Sequence, residues 1–127
     1  MIIRKIERVF PESINHLFVA MEGNAIIGTG EISLIDESDT SPVMYGLFVK
    51  KSYRKQGIAR KLIDVRIDFL AGEGYQCALC YIHPSNIVSI NLIQSYGFEK
   101  LMHTEPTDQG SEWYKINLEP RGLSWNL

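Results

Sequence analysis

The sequence predicts one mixed α/β domain built on a mostly antiparallel sheet of six or seven strands. The chain has 127 residues, of which 45% are hydrophobic, so it can bury one core of ordinary domain size. One segment alternates loosely like a strand and others are short apolar runs typical of strands, whereas two segments repeat apolar residues every three or four positions, as helices do. No repeat, low-complexity stretch or linker divides the chain. We therefore expect a single domain over residues 1–127, with 119–127 as a C-terminal tail.

Four strands are predicted before any helix. They are Ile2–Val9, His16–Met21, Ala25–Ile35 and Val43–Val49. The turn Glu22–Asn24, which contains a glycine, predicts a hairpin between the second and third strands. The polar segment Asp36–Pro42 predicts a loop before the fourth.

The second half of the chain alternates helix and strand. From Gly57 to Ala71 apolar residues recur at helical spacing, and the glycines that follow end the helix. A short, nearly all-apolar strand follows, as expected for one buried on both faces. A second helix begins at Pro84–Asn86 and ends at Gly97. The three strands of this half are Gln76–Ile82, Phe98–His103 and Glu112–Leu118, the last two paired across residues 104–111. The strand–helix–strand order predicts a right-handed crossover between two central parallel strands.

The segment LFVKKSYRKQGIARKL, residues 47–62, carries an unusual concentration of charge. It holds six of the 13 lysines and arginines and no acidic residue, in a chain whose formal net charge is −2. A strand that ends in a basic, glycine-containing loop before a helix N-terminus can bind anions, because free backbone N–H groups and the helix dipole converge there. Gly57 permits close approach of a ligand. The segment is neither a Walker loop nor a G-x-G-x-x-G loop, and a solvated basic face is the alternative.

Two motifs resemble a known family. Leu47–Val49 followed by Tyr53–Ala59 is similar to the acetyl-coenzyme A signature of the GNAT superfamily of N-acetyltransferases, R/Q-x-x-G-x-G/A after an L-x-V strand. Asn86–Ile90 leading to Tyr96–Phe98 resembles the family's N-x-x-A/S-I segment that ends in G-F. Gly28 fits the family's "I-V-G" hairpin. The resemblance extends from Asn24 to about Leu118.

The resemblance implies an enzyme that moves an acetyl group from acetyl-coenzyme A, its cosubstrate, to a primary amine by direct attack in a ternary complex. The family's pyrophosphate cradle would lie on the backbone amides after Lys55, and the strand before it would splay from its parallel neighbour and bind pantetheine. The residues that this assigns to coenzyme binding are Leu47, Phe48, Val49, Arg54, Lys55, Gln56, Gly57, Ile58, Ala59, Arg60 and Asn86. For Asn86, a plain helix N-cap is the alternative.

The catalytic groups depart from the family pattern. The family's acid is a tyrosine four residues before the G-F glycine, and Ile93 stands there. Tyr96, about 60° further around the helix, is a candidate substitute, with a core tyrosine as the alternative. The predicted fourth strand offers no carboxylate as base. The candidates are therefore Glu31, His83 and an ordered water chain. Glu31 alternates along its strand with polar residues, so a side chain that simply faces solvent is the alternative. For His83, next to Pro84, the alternative is a plain loop residue.

The family usually has two helices between its first two strands, and they wall the acceptor pocket. Here only about Phe10–Asn15 separates the strands, too few residues for two helices. We expect either a second subunit, giving a homodimer, or the tail 119–127 to complete the acceptor side.

Other classes of function are disfavoured. Cys77 and Cys80 fall on opposite faces of a strand, which favours two small buried side chains over a metal or redox site. No apolar run reaches 18 residues and no secretion signal is evident, so we expect a soluble cytoplasmic protein without a membrane partner. Thirteen basic against 15 acidic residues argue against nucleic-acid binding. The alternative to an enzyme is an acyl-coenzyme A-binding sensor or protein-interaction module of weak or absent activity.

Overall fold

The computed structural model describes residues 1–10, 13–34 and 41–119. Its strands are β1 (Ile2–Phe10), β2 (Ser13–Glu22), β3 (Ala25–Leu34), β4 (Val43–Val49), β5 (Cys77–Ile82), β6 (Glu99–Lys100) and β7 (Glu112–Asn117). The helices are α1 (Ile58–Gly72) and α2 (Ile87–Ser95), with a single 3-10 turn at Lys51–Tyr53. The predicted mixed α/β class is confirmed.

All strands belong to one sheet in the order β1-β2-β3-β4-β5-β7-β6. Neighbours are antiparallel except β4 and β5, which run parallel on either side of the α1 crossover. β6 is shorter than predicted, because only two of its residues pair with β7 while Phe98 turns into the core. Residues 35–40 of the predicted loop and 120–127 of the predicted tail lie outside the described residues.

The core lies on one face of the sheet, which we call the helix face. Alternation along each strand brings apolar side chains to that face, where α1 packs on β2, β3 and β4. Its buried members include Phe18, Ala20, Ile32, Met44, Ala78, Cys80, Tyr114 and Ile116 from strands, with Leu62, Ile63, Leu70 and Ile93 from helices. Burial of this size is the main source of stability for a domain of this length.

The other face of the sheet, which we call the open face, carries no helix of the described residues. Ile2, Ile6, Ile26, Phe48 and Tyr81 are all exposed there. β1 ends at Phe10 and β2 begins at Ser13, with their ladder running from the Ile2/Met21 pair to the Phe10/Ser13 pair. The predicted lack of a helix pair between the first two strands is therefore confirmed.

Two glycines bring α1 close to β3. A Cβ atom on Gly28 would lie 3.1 Å from Leu62 Cδ1, and one on Gly30 would lie 2.9 Å from Arg66 Cζ. At Gly28 a larger side chain would press on the β4 backbone and on Leu62 and Ile58 of α1. At Gly30, by contrast, it would meet the end of the Arg66 side chain. The close approach of the first two turns of α1 thus depends on the small residue Gly28 in β3.

Within the described ranges, no helix is long and apolar enough to cross a membrane, and no group of three or more His, Cys, Asp or Glu residues could hold a metal ion. Cys77 and Cys80, the two cysteines of the chain, form no disulfide, and of the two only Cys80 is buried.

Candidate active site

A cleft opens where β4 and β5 separate. The two strands pair only at Val43 and Leu79, where Leu79 N donates to Pro42 O at 2.9 Å. Beyond that point β4 contains a bulge: the register with β3 passes from Glu31/Tyr45 to Thr29/Phe48, which leaves one extra residue on β4. Gly46 lies in this bulge with φ +65°. A bulge bends its strand, so this one turns β4 away from β5.

The cleft has a volume of about 250 Å³. Its lining comes from β4, α1, β5 and α2: Met44, Tyr45, Gly46, Leu47, Ile63, Arg66, Cys80, Tyr81, Ile82, His83, Asn86, Ser89, Leu92, Ile93, Phe98 and Ser111. Because Tyr45 and Tyr81 belong to the open face while Arg66 and Ile93 belong to the helix face, the cleft passes through the sheet.

The basic loop joins the end of β4 to α1, and two hydrogen bonds fix its first half to the sheet. Lys50 N donates to Ile27 O at 2.8 Å, and Arg54 Nε donates back to Val49 O at 2.9 Å. Lys55 (φ +64°) and Gly57 (φ +81°) both adopt left-handed conformations, which are uncommon for a residue other than glycine. This conformation, rather than lack of space, requires glycine at 57, since a Cβ there would meet no described atom within 4 Å.

Gly57 is also the N-cap of α1. It provides no side-chain acceptor for the first turn, and that turn contains no acidic residue. The N–H groups of Ile58, Ala59 and Arg60 and the positive end of the helix dipole are therefore available to an anion. Residues 54–60 thus form a loop that leads into an uncapped helix N-terminus, and anion binding there stays a prediction.

Asn86 lies at the same edge of the sheet, after β5. Its Oδ1 accepts a hydrogen bond from Ser89 N at 3.2 Å, which makes it the N-cap of α2. Asn86 also lines the cleft, and no hydrogen bond of the described residues uses its Nδ2. Asn86 can therefore cap α2 through Oδ1 and still donate a hydrogen bond to a ligand through Nδ2.

The three β4 residues predicted to bind the coenzyme are placed differently. Leu47 lines the cleft and Val49 packs against the core on the helix face, whereas the Phe48 side chain is 54% exposed on the open face. Only the backbone of Phe48 is therefore near the predicted pantetheine path.

Sequence comparison identifies the family. The profile described as the acetyltransferase (GNAT) family matches residues 3–98, more than half of the chain. The chain belongs to the GNAT family.

Related proteins agree with this membership. Two curated relatives are the aminoglycoside N(6')-acetyltransferases type 1 of Salmonella typhimurium and Salmonella enteritidis, each 30% identical over 89 residues, or 65% of this chain and 61% of the relative. This chain therefore matches about three fifths of their length. Among solved structures, the ribosomal-protein-S18-alanine N-acetyltransferase of Escherichia coli is 19% identical with a TM-score of 0.65, covering 88% of this chain and 72% of that one. The PaiA N-acetyltransferase of Thermoplasma acidophilum, in complex with coenzyme A, is 20% identical with a TM-score of 0.67, covering 80% and 59%. At identities this low, the two comparisons show only that both structures have the same fold as this chain.

Tyr96 is placed away from the cleft of this GNAT chain. Its hydroxyl donates to Arg60 O in the first turn of α1 at 3.2 Å, and Tyr96 is not among the cleft-lining residues. Burial, followed by a hydrogen bond with Asp64, raises the pKa of Tyr96, which makes it a weaker acid. The placement favours the alternative role, a tyrosine that joins α2 to α1. Ile93 itself lines the cleft, so the family's usual acid position is apolar here.

Glu31 lies on the open face beside the β4 bulge. Its Oε1 is 2.5 Å from Arg8 Nη2, and its carboxylate is close enough to the Tyr45 hydroxyl to raise the pKa of that group. Asn15 Nδ2 donates to the same hydroxyl at 3.2 Å. Burial, followed by the nearby Glu31 carboxylate, raises the pKa of Tyr45 to about 12, so Tyr45 stays protonated and links Glu31 to the cleft that it lines.

His83 lines the cleft after β5, but its ring is hydrogen-bonded to the nearby Ser85. Ser85 N donates to Nδ1 at 3.1 Å, and the Ser85 hydroxyl lies 2.8 Å from the same atom. Since Nδ1 accepts, the neutral ring carries its proton on Nε2. His83 is thereby set as a hydrogen-bond donor, so it could act as a base only after the tautomer changes.

Sequence reasoning missed Arg66, which lies on the floor of the cleft. Its side chain is 2% exposed, and its bonds go to backbone carbonyls: Nε to Leu62 at 3.0 Å, and Nη1 to Glu31 at 3.1 Å and Tyr45 at 3.3 Å. Burial lowers its pKa to about 10, so it is still charged near pH 7. One sequence signal was available: Arg66 lies four residues after Leu62, on the apolar stripe of the predicted helix.

Proposed function

We propose that this chain is an acetyl-coenzyme A-dependent N-acetyltransferase that acts on a primary amine by direct attack in a ternary complex. The observation that carries the proposal is the cleft that passes through the sheet at the β4 bulge. Coenzyme bound on the helix face and an amine approaching from the open face could meet in this gap. GNAT acetyltransferases use acetyl-coenzyme A, and family membership supports the same donor here.

The coenzyme site that we propose follows the anion-binding geometry of the loop. The amides of Gln56 to Arg60 would hold the pyrophosphate at the α1 N-terminus, with Arg54 and Lys55 at its rim. The pantetheine arm would run along the β4 backbone at Leu47–Val49, and Asn86 Nδ2 would donate to it. All of these groups lie at the carboxyl edge of the two parallel strands, so one extended ligand could reach them.

The base that we propose is Glu31. An amine of pKa near 10.4 is almost fully protonated at pH 7, and removing its proton costs on the order of 4.6 kcal/mol. In the described part of the structure, the carboxylate nearest the bulge is that of Glu31, with Tyr45 between it and the cleft. A proton could pass from the amine to Glu31 through the Tyr45 hydroxyl or a water molecule.

The first experiment measures acetyl-coenzyme A binding by calorimetry on the native protein and two Gly57 variants. We expect micromolar affinity for the native protein. Gly57→Ala introduces only left-handed strain, about 1–2 kcal/mol, and should weaken binding moderately. Gly57→Glu has the same strain and places a carboxylate at the pyrophosphate site, so binding should be lost.

The two variants are matched, because a Cβ at position 57 meets no described atom and both substitutions carry the same strain. Equal losses in both would attribute the effect to strain rather than to the anion site. No binding by the native protein at millimolar coenzyme would overturn the proposed function.

The competing candidate is an acyl-coenzyme A-binding sensor. Ile93 at the usual acid position and the lack of a carboxylate among the described lining residues favour it. Release of free thiol from acetyl-coenzyme A, measured with an amine panel, separates the two. The panel should include an aminoglycoside, because the curated relatives are aminoglycoside N(6')-acetyltransferases, together with a polyamine and a peptide amine. A native protein that binds the coenzyme but transfers to none of these, and an Ile93→Tyr variant that also fails, would favour the sensor.

We also propose that a second copy of the chain covers the β1–β3 part of the open face and leaves the cleft accessible, giving a homodimer. The apolar side chains Ile2, Ile6 and Ile26 are each about half exposed there. Sedimentation of the native protein and of Ile6→Lys should show a dimer that the variant loses. A native monomer would contradict this. The cytoplasmic location stays a prediction.

A further inference from the structure

The cleft contains a buried positive charge without a matching negative one. Arg66 is 2% exposed, and its hydrogen bonds in the described structure go to three backbone carbonyls, not to a carboxylate. Buried charges are normally paired, because removing them from water is costly. An unpaired guanidinium beside a ligand cleft therefore suggests an anionic occupant.

The fold holds this charge in place. Gly30 leaves the space that the guanidinium fills, since a Cβ there would lie 2.9 Å from Arg66 Cζ and Nε. Nη1 bridges the carbonyls of Glu31 in β3 and Tyr45 in β4, and Tyr45 directly precedes the bulge residue Gly46. These contacts fix Arg66 at the point where β4 separates from β5.

The other titratable side chains that line the cleft do not neutralise Arg66. They are Tyr45, Cys80, Tyr81 and His83, and none is a carboxylate. Cys80 interacts electrostatically with Arg66, but burial raises the pKa of its thiol to about 12, so it stays neutral. Glu31 offers Arg66 its carbonyl, while its carboxylate pairs with Arg8 on the open face.

We propose that Arg66 provides the positive charge that stabilises the coenzyme thiolate when the acetyl group leaves, in place of the acid that is missing at Ile93. The inference rests on the proposed function. In the step concerned, the amine nitrogen forms a bond to the thioester carbon and the carbon–sulfur bond breaks. The bonding electron pair goes to sulfur, the amine proton goes to Glu31 or water, and the thiolate is later protonated from solvent.

The coenzyme thiol itself reports on this charge without any turnover. A cation near a thiol favours the thiolate and lowers the thiol pKa, typically by about 1–3 units for a close pair. Coenzyme A labelled with ¹³C at the methylene next to sulfur is bound to the protein and titrated by NMR. We expect the bound thiol to titrate at least about one unit below the ordinary thiol value of about 8.5.

Substitutions at Arg66 separate charge from structure. Arg66→Lys keeps the charge but loses the fork of carbonyl contacts, whereas Arg66→Met keeps the apolar stem and loses the charge. The lowered thiol pKa should survive in Arg66→Lys and return toward the free value in Arg66→Met. A purely structural role would affect the thermal stability of both variants and leave the bound thiol pKa unchanged.

A second pair of variants leaves Arg66 in place in case Arg66→Met does not fold. Cys80→Asp sets a carboxylate beside the guanidinium and should raise the bound thiol pKa, while the neutral Cys80→Asn should not. Bound coenzyme that titrates like free coenzyme in the native protein overturns the inference, and so does a lowered pKa that persists in both Arg66→Met and Cys80→Asp. Failure of the native protein to bind coenzyme A in calorimetry is a different result, since it removes the proposed function as well.

Discussion

Gly28 controls how closely α1 approaches the sheet, and replacing it with alanine tests that packing. The new Cβ would lie 3.1 Å from Leu62 Cδ1, 3.1 Å from Phe48 O and 3.3 Å from Ile58 Cγ2. The backbone of Gly28 is not left-handed, so alanine should gain about 0.4–1 kcal/mol by restricting the unfolded chain. Overpacking against three atoms, one of them backbone, costs about 1–3 kcal/mol. We expect a net loss of about 1–2 kcal/mol.

For 127 residues that loss lowers the melting temperature by about 4–7 °C. Gly72→Ala is the matched control, because it makes the same change at the exposed end of α1, where a Cβ meets no described atom within 4 Å. It should instead raise stability by about 0.5–1 kcal/mol. Calorimetric melting of the two variants beside the native protein measures both effects. A Gly28→Ala protein as stable as Gly72→Ala would refute the close packing of α1 on β3.

Three further predictions concern single side chains. Burial, aided by the charge of Lys5, lowers the pKa of His16 below 6.5. As the pH falls through about 6.5 the unfolded chain therefore takes up this proton before the folded one does, and the free energy of unfolding decreases. In melting curves measured over a pH series, His16→Gln should lack this loss of stability. Tyr96→Phe should lose about 0.5–1.5 kcal/mol with its bond to Arg60 O, and a drop in kcat larger than tenfold would show that Tyr96 is the acid after all. Ile93→Tyr should raise kcat if the native protein is a weak enzyme, whereas a kcat that does not rise would mean that protonation of the leaving group does not limit turnover.

The sequence predicted the elements of the donor side because their signals are local. The basic loop, Gly57 and the α1 periodicity lie within one continuous segment, and the structure forms a loop and helix there. The β4 bulge was not predicted, although Gly46 interrupts an otherwise apolar strand, because a bulge is defined by the register with β3. Arg66 was missed for a related reason: its surroundings come from Gly30 and Tyr45, which are more than 20 residues away along the chain.

The two faces of the sheet divide the charges that the proposed reaction needs. Arg66 Nη1 on the helix face binds the carbonyl of Glu31, whose carboxylate lies on the open face beside Tyr45. Direct displacement removes a proton from the nucleophile on one side of the carbonyl carbon and leaves charge on sulfur on the other. A carboxylate and a guanidinium held on opposite faces of the same two strands fit both requirements without neutralising each other. Replacing either one should therefore impair a different half of the reaction: Glu31→Gln should shift the activity profile toward higher pH, where the amine is already neutral, while Arg66→Met should lower the rate at every pH.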